Sequence, residues 1–153
     1  MRINKSVRGF VLAAAAFAAS AVPAFADDWI VKNSASNVET TVSKLVAAVE
    51  GVGATVFATV DHAVGAQSID AELDDMTLVM FGNPRLGTPI LQSAPRAGLD
   101  LPIRVLIWDD AGQTKIGYLD PAELKGRYSV EGADKSFEMM AGALMKLTDA
   151  AAQ

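Results

Sequence analysis

Apolar positions along this chain fall into two kinds of pattern, and each predicts a different element. From Asn37, the residues Val38, Val42, Leu45, Val46 and Val49 recur at spacings of three and four, with Glu39, Ser43, Lys44 and Glu50 between them. That is the stripe of an amphipathic helix, opened by Ser36 or Asn37 as a cap and closed at Gly51 and Gly53. A second stripe, Phe137, Met140, Ala141, Leu144, Met145 and Leu147, predicts a helix over 134–152 with Asp134 at its cap. Elsewhere the period is two, or the run is short and unbroken. Trp29 to Val31, Ala54 to Val60 (around Val56, Ala58 and Val60), Met76 to Phe81, Leu101 to Trp108 and Lys115 to Leu119 read as five strands. The last two flank Asp109-Asp110-Ala111-Gly112, a turn-forming cluster, and form a hairpin. The polar stretch from Asp61 to Asp75 is a long connection with room for a short helical piece.

The order β-α-β-β-β-β-α predicts an α+β fold of two layers, an antiparallel sheet covered on one face by two helices. The other face is left for water or a partner. Phe81-Gly82-Asn83-Pro84-Arg85-Leu86-Gly87-Thr88-Pro89 departs most from packing, with two Gly and two Pro in nine residues after an apolar strand. Thr88 followed by Pro89 has the form of a cap and first helical residue, so a short helix is expected from there through Ser93. The free amides at that start, helped by Arg85, would suit an anion. In the plainer reading Gly82 and Gly87 allow a sharp strand-to-helix corner, Asn83 and Thr88 satisfy local backbone groups, and Arg85 is solvated.

The N-terminus changes the picture of where the protein works. Arg2, Lys5 and Arg8 precede an apolar run from Phe10 to Ala19, and Ala24-Phe25-Ala26 has the small-x-small form accepted by a signal peptidase. Residues 1–26 therefore read as a cleavable leader and 27–153 as one domain, periplasmic or secreted. The run is short for a membrane span, which needs about 20 apolar residues, and Pro23 interrupts its end, so no stable membrane insertion is expected after cleavage. With the leader gone, 10 basic residues face 18 acidic ones, a formal balance of −8. That argues against nucleic acid and anionic membrane surfaces as partners. The chain has no Cys, which excludes disulfides, thiol catalysis and lipid attachment through a cysteine. With one histidine, a zinc site of the usual nitrogen and sulfur kind is not expected.

Few residues suggest chemistry. Asp61 beside His62 has the makings of a general base or a single axial ligand, although neighbours in a strand point to opposite faces. No nucleophile elbow accompanies them. Met76, Met80, Met139, Met140 and Met145 fit core packing better than soft-metal capture, because Met140 and Met145 share a helical stripe. Asp70, Glu72, Asp74 and Asp75 lack the glycine and distal glutamate of a calcium loop and read as a solvated connection. Arg104 interrupts an apolar strand on the same face as Leu106 and Trp108, and a charge there needs a partner or a solvated cleft. Asp100 and Asp120 are its candidate partners.

Phe81 to Pro89, Leu99-Asp100-Leu101-Pro102-Ile103-Arg104-Val105 and the Trp108-Asp109-Asp110 turn together resemble the domain-of-unknown-function 302 family. His62-Ala63-Val64-Gly65-Ala66 resembles that family's loop histidine before small residues, and Asp120-Pro121 its Asp-Pro pair after the hairpin. The linker from Asp70 to Asp75 is more acidic than the pattern leads one to expect. The resemblance implies a two-layer fold similar to TATA-binding-protein-like domains and a homodimer, and carries no established activity or cofactor. The expected function is a non-enzymatic module that binds a small or anionic ligand or another protein. Its candidate ligand-binding residues are His62, Asn83, Arg85, Gly87, Thr88 and Arg104. The alternatives are a small hydrolase or lyase with His62 as base and Thr88 or Arg85 stabilising an anion, and haem or metal capture through His62.

Overall fold

A computed structural model describes residues 29–153, so the leader expected over 1–26 lies outside the described residues. Five strands, β1 (Trp29–Asn33), β2 (Thr55–Asp61), β3 (Met76–Gly82), β4 (Ile103–Asp110) and β5 (Gln113–Leu119), make one sheet in the order β1-β5-β4-β3-β2. Every neighbouring pair is antiparallel. The hairpin between β4 and β5 turns through Ala111 and Gly112, both at positive φ (52° and 88°), the geometry that matches the twist of the flanking strands. The Asp109 carboxylate accepts from the Gly112 amide at 2.7 Å and fixes that turn.

Two long helices, α1 (Val38–Gly51) and α5 (Asp134–Ala152), pack against each other and onto the sheet. Asn37 caps α1, its side chain accepting from the Thr40 amide at 2.9 Å. Leu45 and Val49 of α1 and Phe137, Met140, Leu144 and Leu147 of α5 are buried over Val79, Val105, Ile107 and Ile116 of the sheet. Full burial of each such side chain is worth about 1.5–3 kcal/mol, so this layer dominates the stability. Polar side chains within it are paired: Ser34 and Thr41 share a hydrogen bond of 2.7 Å, and the Lys32 ammonium donates to Thr148 at 2.9 Å and to Asp149, tying β1 to α5.

The expectation of two helices is corrected to five among the described residues. The additional ones are α2 (His62–Gln67), α3 (Pro84–Ser93), which a 3-10 turn (Pro95–Leu99) follows, and α4 (Pro121–Arg127). All three are short and sit in connections that lack a long apolar stripe, so hydrophobic period alone passes over them. The helix expected from Thr88 begins a turn earlier. Asn83 is its cap, accepting from the Arg85 amide at 2.9 Å, and Pro84 is its first residue. Gly87, Thr88 and Pro89 lie inside α3, which removes the anion-holding amides expected at Thr88 and the corner expected at Gly87. Pro89 is tolerated there because it is exposed, as is Arg85, whose carbonyl its missing N–H would have met. α5 is capped by Ala133 rather than Asp134, and Ala141 and Met145 of its expected stripe face solvent. In β2 a bulge between Val56 and Ala58 changes the face. Val56 pairs with Phe81 towards the helices, whereas Ala58 and Val60 pair with Met80 and Leu78 on the far side.

Candidate functional site

A cavity of about 440 Å³ opens between α3, the middle of α5 and the sheet ends that carry Phe81 and Ile103. Leu86 and Leu91 of α3 form one wall, Met140, Leu144 and Leu147 of α5 the other, and Phe81 with Leu101 the floor. Val52, Phe57 and Met139 stand at it while more than half exposed, at 63%, 56% and 52%. Three large apolar side chains left in water around one opening mark a surface shaped for something other than solvent. Among the described residues, the only polar side chains that line the cavity are Asn83 and Thr88. Because the Asn83 carbonyl oxygen is used in capping α3, its NH2 group is the end left to meet a ligand.

α3 positions these groups. Asn83 ends its strand and starts the helix, Pro84 presets the first turn, and Ile90 anchors the helix in the core. That anchoring sets Leu86 and Leu91 towards α5.

The six residues expected from the sequence do not form one site. Asn83, Gly87 and Thr88 line the cavity. Arg85 belongs to the same helix but is exposed and does not line it. His62 is exposed at the first position of α2 and lines neither described cavity. Its neighbour Asp61 is occupied as the helix cap, accepting from the Val64 amide at 2.9 Å. Arg104 lies elsewhere again, in a hollow of about 250 Å³ with Trp29, Leu78, Leu106, Leu119 and Arg127.

That second hollow gathers several charges around one carboxylate. Asp100, whose side chain is only 10% exposed, accepts from Arg104, from Arg127 at 3.0 Å and from the Tyr128 hydroxyl at 2.8 Å. Burial alone would raise its pKa. The hydrogen bonds from Tyr128 and Arg127 and the charges of Arg104 and Arg127 win, and hold the carboxyl below the usual carboxylate range. The same hydrogen bond raises the Tyr128 phenol above its ordinary value. Arg104 thus has the Asp100 partner that its place in an apolar strand demanded.

Sequence reasoning missed Val52, Phe57, Leu91, Met139 and Ala143 as lining residues. One signal was available: Val52 beyond the last turn of α1 and Met139 beside the acidic Glu138 are large apolar residues where a solvated position is expected. Their convergence is tertiary and has no local pattern.

Comparisons with known proteins follow the same lines. Residues 30–147 match the family model described as "Domain of unknown function DUF302". The fold matches the crystal structure of an uncharacterized conserved protein DUF302 from Bacillus stearothermophilus, with a TM-score of 0.75 over 82% of this chain and 99% of that one, at 18% identity. Curated relatives include a protein named fluoride-specific ion channel FluC 1 from Brucella suis and another of that name from Brucella abortus, each 39% identical over 98 residues. Those residues are 63% of this chain but 39% and 36% of the relatives, so most of each relative lies outside the match.

Proposed function

We propose, from the premise that this chain belongs to the DUF302 family, that it is an exported, non-enzymatic binding domain, homodimeric, whose cavity between α3 and α5 holds a small, mainly apolar ligand. The observation that carries this reading is the cavity itself. Its 440 Å³ falls within the range of about 300–1,000 Å³ typical of small-molecule sites, and its lining is apolar apart from Asn83 and Thr88. Such a lining selects a ligand with one or two hydrogen-bonding groups on a hydrophobic body; an anion would find no cationic side chain inside. Asn83 and Thr88 orient the polar end, and the exposed Val52, Phe57 and Met139 guide entry. Catalysis is not part of the proposal, because His62 and Arg85 stand outside the cavity that holds Thr88. Conduction of an ion is not carried over from the relatives named as channels. The match spans well under half of each, and no described helix is long and apolar enough to cross a membrane.

The test is a titration of the protein with a fluorescent naphthylamine probe, with and without Ala143→Trp. Ala143 is half-buried on the cavity wall, so an indole there fills the space without displacing the core. The expected result is saturable binding by the natural protein and at least a tenfold loss in the variant, on the order of 1.4 kcal/mol. Equal binding by both proteins would refute the cavity as the site.

A further inference from the structure

The sheet has a second face, and its composition does not suit water. An antiparallel sheet with one wet face alternates apolar and polar residues, yet β3 reads Met-Thr-Leu-Val-Met-Phe-Gly and β4 begins Ile-Arg-Val-Leu-Ile-Trp, apolar on both sides. The registers place Leu78, Leu106, Trp108 and Leu119 on the face away from α1 and α5, with Trp29 and Val31 at its β1 edge. Trp29 and Val31 are 49% and 47% exposed. Between the two indoles lies Gly117. A Cβ there would stand 2.9 Å from Trp108 and 3.6 Å from Trp29, so the glycine lets Trp108 lie close against the strand. The hollow that holds Arg104 and Arg127 opens on this same face, against Trp29, Leu78, Leu106 and Leu119.

We propose that this face is where two copies of the chain meet. The inference rests on the homodimer reading above and assigns its surface. Charge favours a second copy over another partner. Outside the leader the chain carries a formal −8, yet the cations of this face, Arg104, Lys115 and Arg127 at the hollow, each have a carboxylate of their own chain: Asp100 for both arginines, with Glu123 at 3.9 Å from Arg127, and Asp110 at 3.8 Å from Lys115. A self-neutralised apolar face presents no field to steer a charged partner, and it can meet its own copy about a two-fold axis without like-charge repulsion. Size agrees. Five strands about 4.8 Å apart and about seven residues long, at roughly 3.3 Å each, give on the order of 500 Å² per copy. The pair then buries about 1,000 Å², the lower bound for a specific interface.

Sedimentation equilibrium of the exported protein, recovered from its own compartment with its N-terminus established by mass spectrometry, tests the assignment. Val31→Lys and Val60→Lys place ammonium groups on the two edge strands, at positions already 47% and 39% exposed, where folding is preserved. Val52→Lys, on the cavity rim, is the control. The expected result is a natural dimer, a dissociation constant raised at least about tenfold by the double variant, and no change with the control. A natural protein that stays monomeric up to about 100 μM overturns the homodimer itself. If that monomer retains its N-terminus and both tryptophans resist acrylamide quenching, the apolar run Phe10–Ala19 covers the face instead. A dimer indifferent to the double variant overturns only the choice of face. Probe binding in the cavity is read separately, so neither failure is confused with failure of the ligand site.

Discussion

At the scale of single residues, two side chains show how local chemistry decides what a position tolerates. Asp100 is nearly buried and carries three donors, so its replacement leaves two guanidinium groups and a phenol without their acceptor. Its folded pKa is depressed, so the folded carboxyl holds a proton less tightly than the unfolded one. The stabilisation it supplies is complete above the unfolded value of about 3.9 and is lost as pH falls through the lower folded value. Asp100→Asn is therefore expected to cost on the order of 2 kcal/mol at pH 7. Thermal melts should show the gap between natural and variant protein closing on acidification below about pH 4, and a gap independent of pH would contradict this account. Gly117 makes the opposite point, since what matters there is an absent atom. Gly117→Ala forces Trp108 off the strand and is expected to cost about 1 kcal/mol. In a Trp108→Leu background the same change should turn mildly stabilising, by about 0.5 kcal/mol, because alanine lowers the entropy of the unfolded chain. A double-mutant cycle in urea reads the difference directly.

At the scale of elements, the sequence was most legible where a single period persists. α1, the body of α5, the β4–β5 hairpin and the apolar β3 follow from residue spacing and turn chemistry alone. α3 illustrates what spacing hides. The chain offers two cap-and-proline pairs five residues apart, Asn83-Pro84 and Thr88-Pro89, and local preference is satisfied by either. Starting at Asn83 buries Ile90 and turns Leu86 and Leu91 to the cavity, a tertiary gain that a one-dimensional reading does not weigh. The same pairing at Asp120-Pro121 starts α4, with the Asp120 carboxylate accepting from the Ala122 amide at 2.8 Å. Asn83→Ala should then destabilise the protein by about 1 kcal/mol, whereas Thr88→Ala, inside the helix and exposed, should change stability by less than about 0.5 kcal/mol. Equal losses at the two positions in chemical denaturation would restore the later start. The β2 bulge hides in the same way, because strict alternation puts Val56, Ala58 and Val60 on one face and the inserted residue separates them.

At the scale of the whole molecule, the candidate site was half legible. Asn83, Gly87 and Thr88 drew attention through their punctuation and do line the cavity, but His62 and Arg104 drew it through their chemistry and lie apart from it. Titratable side chains stand out in a sequence, while a cavity made by Leu86 of one helix and Leu144 of another exists only after folding. The resulting molecule has two distinct apolar surfaces. The cavity opens among α3, α5 and the sheet ends, and the second face, with the hollow at Arg104, lies on the opposite side of the sheet from α1 and α5. What separates them is the packed layer of Val79, Val105, Ile107 and Ile116, all fully buried. A ligand shifts an association equilibrium only by its different affinity for the two states, and the cavity is lined by none of Trp29, Val31, Leu78, Leu106, Trp108 or Leu119 of the second face. Saturating the cavity with the naphthylamine probe is accordingly expected to raise the melting temperature while leaving the dissociation constant of the proposed dimer within about twofold. A shift of fivefold or more, about 1 kcal/mol of coupling, would mean that the sheet transmits strain between its faces and that the two surfaces work as one device.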